Sequence, residues 1–426
     1  MLKKANAENI QNWLEKINTY NSTPEFGTTR VLFTECEIAA REYVKSEMKK
    51  LGLIVREDSI GNIFGTLVGS KPNLPPVWTG SHIDTVLNAG MFDGMAGVVG
   101  GMEALRLIKD SGIKFNRNIE VVVYTSEEPT RFGLCCLGSR AMAGHLTLED
   151  TKKLKDENGK TLESILKDLG YDLDRFKDIH VKKGQVFGAI ELHIEQNNKL
   201  EKKGLPVGIV KTICAPTNYS VEVIGCQSHA GGTSMEDRRD AYAASCEIAL
   251  ILEKLALKCN SEYNTATVGR VEVIPNAVNV IPGKVKFSID IRDCEFETKM
   301  ELIEDLKKEI KKIKEKRGVQ VNLIKENNDM PMKCDQTIVS ILRESCEEKN
   351  ISYDMMISGA YHDSMFVGEF APVAMIFVPS KNGISHSPDE WTDYNDIALG
   401  VEVLAKSLLE LSNKEELCVN NLNSIS

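Results

Sequence analysis

The chain has 426 residues, 42% hydrophobic, 27% charged and 6% aromatic; that length predicts two domains, with apolar side chain enough for packed interiors and charge too balanced for wholesale disorder. Asp and Glu number 62 against 52 Lys and Arg, a net charge of −10, which argues against a phosphate-binding surface and so against nucleic acid as a partner. The longest apolar stretch, Phe370 to Pro379, is about half of what a bilayer crossing needs, and Met1 to Tyr20 has helical spacing without a signal-peptide core, so a cytoplasmic protein with no membrane partner is expected.

In chain order, Glu35–Leu51 carries apolar residues at helical period, with Gly52 as its stop. Asn62–Val68 reads as a strand after a Gly61-Asn62 turn, and Pro76–Gly80 as a short buried strand. Met95–Ile108 is a helix rich in small residues. Ile119–Thr125 (IEVVVYT) is a continuous, largely β-branched run and the clearest strand of all; Gly188–Ile194 is another. Strands separated by helices predict an α/β sheet covered on both faces. After about Cys214 the pattern changes. Strand Tyr219–Gly225, helix Arg239–Leu257, strands Thr265–Ile274 and Lys284–Arg292, helix Phe296–Arg317 and strand Val319–Lys325 give β-α-β-β-α-β, the ferredoxin-like order. Past about Met330 apolar strands and helices return, notably Val373–Val378. The expected organisation is a large α/β domain built from residues 1–214 and 330–426, with a smaller α+β domain, 215–329, inserted into it.

There are seven His, and where they fall is informative. His82, in Gly80-Ser81-His82-Ile83-Asp84-Thr85, directly follows a buried strand, where an α/β fold opens its active-site crevice. Asp93, in Phe92-Asp93-Gly94, opens the next helix, a position where a plain N-cap would also stand. Glu127-Glu128 end the strongest strand, and adjacent carboxylates repel unless cations or protons separate them. His193 lies in Glu191-Leu192-His193-Ile194-Glu195-Gln196, where alternation puts the polar residues on one face. His386, in Gly383-Ile384-Ser385-His386-Ser387-Pro388, follows the last strand. Each alone has an ordinary reading as cap, strand end, core histidine or loop histidine. As a set, imidazoles with Asp and Glu oxygens at strand ends suit a hydrolytic site for zinc, manganese or cobalt. The 11 Cys are scattered with no CxxC, so neither a disulfide framework nor a zinc finger is supported. The adjacent Cys135-Cys136 reads as two small buried apolar residues.

GSHIDT, FDG, EEPTRFG with CLGSR, ELHIEQ and GISHSP recur in this order, with SHAGGTSMEDRRDA and PNAVNVIPG lying before the last. On these motifs the sequence, from about Thr34 to Val403, resembles the amidase, hydantoinase and carbamoylase branch of the zinc aminoacylase/carboxypeptidase family of dinuclear metallohydrolases. The resemblance implies a metallopeptidase-like catalytic domain and a ferredoxin-like lid that pairs into a homodimer. It implies two divalent ions (Zn2+, Mn2+ or Co2+) held by His82, Asp93, Glu128, His193 and His386, with Asp93 bridging and His82 and His193 on different ions. Glu127 would be the general base, and Asp84 the carboxylate that orients His82. Gln196, His229, Asn279, Arg292 and the backbone of Gly359 and Ala360 would meet the substrate, Arg292 gripping its carboxylate, and some lid residues would act in the neighbouring subunit. The implied reaction cleaves the C–N bond of a small ureido acid (an N-carbamoyl-L-amino acid, ureidoglycolate or allantoate), releasing ammonia and CO2.

The residue types suit that chemistry. A ureido carbon is a poor electrophile, so water needs Lewis-acid activation and a carboxylate to take its proton, and an arginine fork matches a planar carboxylate. Asn197, where the family usually has Gly, and Gly232-Thr233-Ser234-Met235, which lacks a turn proline, bear on loop shape and on no proposed ligand. Pro129-Thr130 and Ala360-Tyr361-His362-Asp363-Ser364 look like the ureidoglycolate amidohydrolases, the GISHSPDEW ending like the carbamoylases. The alternative in the same chemistry is a metallo-exopeptidase or aminoacylase, against which the RRDA and HIEQ motifs argue. A silent binding protein on this fold would lack a ligand or the base, yet all six positions are filled. A nucleotide-binding protein would need GxGxxG or GxxxxGK[ST], and neither occurs.

Overall fold

A computed structural model describes residues 2–417 and divides into two compact units: Met1–Lys211 with Cys334–Met356 and His362–Ser426, and Thr212–Lys333 with Ile357–Tyr361. In the first unit β1 (Ile54–Glu57), β2 (Ile63–Leu67), β3 (Val77–His82), β4 (Ile119–Tyr124), β5 (Gly188–Ile194) and β6 (Val207–Ile213) precede the second unit. The second unit contributes β7 (Ala215–Ile224), β8 (Ser228–His229), β9 (Asn264–Ile274), β10 (Val280–Ile281), β11 (Lys284–Asp293), β12 (Gln320–Lys325) and β13 (Met332–Lys333). The chain then returns through β14 (Tyr353–Ser358) and β15 (Val373–Val378).

The main sheet runs β1-β2-β4-β3-β5-β15-β6, with β14 also on β6. Its four central strands, β4-β3-β5-β15, are parallel, and every residue of them is buried. That is why β4 and β15 read as largely apolar runs, while the polar residues of β3 and β5 include those that reach the site. The helix Met95–Ser111, almost wholly buried, covers them together with Tyr394–Asn413. The buried strand expected to stop at Gly80 runs on to His82, so this histidine ends the strand and does not follow it. The short edge strand β1, half exposed along its length, and β6 have no counterpart among the expected elements.

In the second unit β7, the helix Ala241–Lys258, β9, β11, the helix Phe296–Arg317 and β12 follow in that order, and the antiparallel sheet runs β12-β7-β11-β9. Alternation on β7 and β11 sends Val221, Val223, Ile289 and Ile291 into a core with Ile248, Leu252, Leu306 and Ile310 of the helices. The first helix starts at Ala241, two residues later than its period implies, because Asp240 caps it by accepting the Tyr242 and Ala243 N–H groups. β8 and β10 form a separate antiparallel pair, His229 opposite Val280.

Candidate metal centre

The four parallel strands point their carboxyl ends to one edge, and the loops there carry the chemistry. His82 ends β3, His193 is next to last on β5, Glu127 and Glu128 follow β4, and His386 lies in the loop after β15 with a positive φ of 54°. Asp93 precedes the Met95–Ser111 helix but does not cap it; the cap position belongs to Gly94, at φ 70°. A Cβ on Gly94 would lie 2.4 Å from His82 Nε2, so glycine lets this turn press Asp93 against the histidine.

Asp93 is the hinge of the cluster. Its Oδ1 lies 3.2 Å from His193 Nε2 and 3.7 Å from His82 Nε2; its Oδ2 lies 3.1 Å from His386 Nε2, which is also 3.2 Å from Glu128 Oε1. Two ligand-type groups result, His82–Asp93–His193 and Asp93–Glu128–His386, each with its donor atoms within 4.8 Å of one another. This corrects the expected partition: His82 and His193 face the same Asp93 oxygen, because β3 and β5 are neighbours in the sheet. Both rings are oriented from behind by backbone, His82 Nδ1 on the Asp84 carbonyl and His193 Nδ1 on the Ile194 carbonyl, each at 3.0 Å. With Nδ1 as the donor, Nε2 is left to face Asp93.

Asp84 does something other than expected. Its carboxylate stands 3.6 Å from His82 Nδ1, too far for a good hydrogen bond, and accepts instead from the backbone N–H groups of Glu127 (3.2 Å) and Glu128 (3.1 Å). It fixes the acidic pair, while its main chain fixes His82. Glu127 belongs to neither ligand group; its Oε2 is 4.0 Å from His82 Nε2, and the Cys136 thiol faces its Oε1 at 3.7 Å. Cys136 is buried as expected, but Cys135 is partly exposed, beside the Arg140 guanidinium.

The electrostatics are those of a cation site. Burial works against a charged Asp93, yet hydrogen bonds from His193 and His386 hold its carboxyl well below the ordinary carboxylate range. Hydrogen bonds to Asp93 and Glu128 raise His386 to about 10; burial opposes a charged His193, but Asp93 outweighs it and lifts that ring to about 9. Burial, then the charge of Glu128, pushes Glu127 well up, and burial brings Asp84 to about 7. Gln196 donates to Asp93 Oδ2 at 2.9 Å, while its own buried Oε1 has no hydrogen-bond partner. Imidazole nitrogens with Asp and Glu oxygens, and no thiolate among them, fit a divalent ion of the zinc, manganese or cobalt kind. Residues that could hold it are His82, Asp93, Glu128, His193 and His386.

Three buried residues around this cluster escaped the sequence reading. Glu390 accepts from the backbone N–H groups of Phe92 and Asp93 (2.9 and 3.1 Å). His362 stacks edge-on against His193, ring centroids 4.6 Å apart. Glu191, two residues before His193 on the same strand face, accepts from Ser81 (2.9 Å) and Ser364 (2.5 Å). Polar alternation in ELHIEQ was a usable signal for Glu191. Glu390, in what reads as an exposed Ser-Pro-Asp-Glu turn, gave none.

Of the remaining expected substrate residues, those of the second unit form two local sets. Exposed His229 accepts from the Gly231 and Gly232 N–H groups, and the Ala230 N–H donates to the carbonyl of Asn279 at 3.0 Å. Arg292 ends the alternating face of β11; its Nε and Nη2 bind Asp290 at 2.9 and 3.3 Å, and its Nη1 donates to the Gly359 carbonyl at 3.0 Å. The Ala360 carbonyl accepts from Ser358.

An α/β sheet with imidazoles and carboxylates collected beyond the ends of its parallel strands is the build of a metal-dependent hydrolase. Peptidase family M20/M25/M40 matches residues 78–410, and the chain belongs to that family. A ureidoglycolate hydrolase of Arabidopsis thaliana is 41% identical over 95% of this chain and 87% of that protein. An N-carbamoyl-L-amino-acid amidohydrolase of Pseudomonas sp. (strain NS671) is 35% identical over 95% of this chain and 98% of its own length. Among solved structures, a hydantoinase/carbamoylase-family amidase from Burkholderia multivorans superposes with a TM-score of 0.89 at 32% identity, covering 96% of this chain and 99% of that one.

Proposed function

We propose that this amidohydrolase hydrolyses the C–N bond of a small ureido acid, ureidoglycolate first, at a centre of two divalent ions. One observation carries the reading: both oxygens of buried Asp93 face imidazoles, Oδ1 toward His193 and His82 and Oδ2 toward His386, the arrangement of a carboxylate shared by two cations. Ions bound there supply Lewis acidity, polarising the scissile carbonyl and making water nucleophilic at neutral pH. Glu127, partly buried beside the ligands without belonging to any ligand-type group, takes the water's proton and returns it to the departing nitrogen. Asp84 keeps Glu127 in place through the backbone of the pair.

Ureidoglycolate is favoured by Pro129-Thr130 and by Ala360 to Ser364, and by the name of the 41%-identical relative; allantoate and N-carbamoyl-L-amino acids are the competitors. Gln196, His229, Asn279, Arg292 and the Gly359-Ala360 backbone are proposed to contact the substrate. Arg292 has five N–H donors, and its three contacts to Asp290 and Gly359 leave one on each terminal nitrogen. The Asp290 salt bridge and a carboxylate anchor are therefore compatible. Residues 215–329 are proposed as a lid that also pairs two copies of the chain: Tyr242, Cys246, Leu250 and Leu257 make an exposed stripe along one helix, and β9 is an edge strand of its sheet. The described cysteines are all free, which accords with a cytoplasmic, reducing location.

The test pairs elemental analysis with assays of ureidoglycolate, allantoate and several N-carbamoyl-L-amino acids on manganese-loaded and zinc-loaded protein. Two ions per chain, activity lost to a chelator and restored by divalent metal, and highest kcat/KM on ureidoglycolate are expected. Full activity in verified metal-free protein would overturn the metal centre, and preference for another ureido acid would overturn the substrate alone.

A further inference from the structure

The two loops that supply Asp93 and His386 are tied together by one buried carboxylate outside the ligand set. Glu390 is 4% exposed. Its Oε1 accepts from both Phe92 N–H (2.9 Å) and Asp93 N–H (3.1 Å), so it fastens the main chain of the residue shared by both ligand groups. Its Oε2 is 2.8 Å from the hydroxyl of Ser385, the residue immediately before His386, and that same hydroxyl is 3.1 Å from Asp93 Oδ2. The fit is close along the side chain as well: a Cβ on Gly90 would come within 2.3 Å of Glu390 Cβ, so the loop leading to Asp93 lies directly on this side chain. The Asp93 loop and the His386 loop are nearly three hundred residues apart in sequence, and these contacts bring them together.

We infer that Glu390, acting through Ser385, is a positioning residue that sets the spacing of Asp93 and His386 and thereby the affinity of the Asp93–Glu128–His386 ion position. The inference rests on the two-ion reading above. Reach decides the effect. A carboxylate one methylene shorter cannot span from its loop backbone to both backbone N–H groups, whereas an amide of equal length still offers one oxygen to them and an N–H to Ser385. Partners that orient metal ligands typically account for about 10–100-fold in metal affinity.

The experiment titrates metal-free full-length protein with Mn2+ in competition with a fluorescent chelator, for wild type, Glu390→Asp, Glu390→Gln and Ser385→Ala, each checked for native circular dichroism. Expected are a loss of about 10–100-fold in one of two affinities for Glu390→Asp, affinities within about threefold of wild type for Glu390→Gln, and an intermediate loss for Ser385→Ala. A folded Glu390→Asp that binds as wild type does overturns the inference. So does a Glu390→Gln that loses as much as Glu390→Asp, since charge and not reach would then be the cause. Should Glu390→Asp not fold, Ser385→Ala decides, and unchanged affinity in it overturns the inference. A wild type that takes one ion counts against the two-ion reading, and the ratio of variant to wild type on that ion still decides the role of Glu390.

Discussion

Glu127 and Glu128 are adjacent, yet the structure gives them different company. Glu128 Oε1 meets His386 at 3.2 Å inside a ligand group, and Glu127 stands outside both groups. Glu127→Gln is therefore expected to keep its metal content and substrate affinity while turnover falls about 10²–10⁴-fold, the usual cost of losing a general base. Glu128→Gln is expected to lose metal, by elemental analysis; equal loss in both would merge the two roles. Arg292 invites a similar separation. If its two remaining N–H groups take the substrate's carboxylate, Arg292→Ala should raise KM steeply for ureido acids, since a hydrogen bond to a charged group contributes about 1.5–3 kcal/mol. Wild type should discriminate against a substrate's uncharged amide analogue, and Arg292→Ala should barely do so. A mutant that keeps the wild-type preference would put the anchor elsewhere.

Elements matter here through their ends. His82, Asp93, Glu128 and His193 were legible in the sequence because each sits at the end of an apolar strand or the start of a helix, where period and burial change together. His386 was legible through its place after the last strand and through its GISHSP motif. Glu390 and His362 were not legible, because their burial comes from loops that fold over them and leaves no periodic trace. The half-exposed β1 hid for a related reason, its four residues alternating between exposed and half-buried much as a loop would. That strand is nevertheless tied to the helix Glu35–Lys50: Glu57 receives Arg41 and Lys45 at 2.9 Å each and the Tyr171 hydroxyl at 2.6 Å. Burial alone would raise the Glu57 carboxyl, but Arg41 and these hydrogen bonds outweigh it and hold it below the ordinary glutamate value. A carboxylate with a depressed folded pKa stabilises the fold above its unfolded pKa, and the contribution is lost as pH falls through the folded value. Thermal melts of wild type and Glu57→Gln should differ by about 1–3 kcal/mol at pH 7, and the gap should narrow as pH falls below the ordinary glutamate range toward the depressed folded value. A gap unchanged at pH 3 would contradict the assignment.

For the whole molecule, the proposed pairing of second units makes two predictions. Leu250→Glu with Leu257→Glu, both on the exposed stripe, should shift the protein to monomer in sedimentation, and a dimer that survives would place the interface elsewhere. If His229 serves the neighbouring subunit, mixing His229→Ala with Glu127→Gln chains should restore part of the activity, and verified heterodimers without rescue would confine it to its own chain. The order of the strands carries one more consequence. β15 lies between β5 and β6 in the sheet but is made after the entire second unit. In synthesis, β3, β4 and β5 are made well before the strand that lies beside β5, and β6 before the strands it pairs with. At about 5–20 residues per second, on the order of ten seconds separate the synthesis of β5 from that of β15 and the His386 loop. Once β5 is made, His82, Asp93, Glu128 and His193 have all been synthesised, while His386 has not. If the proposed centre takes two ions, the order of synthesis completes the ligands of one position before those of the other.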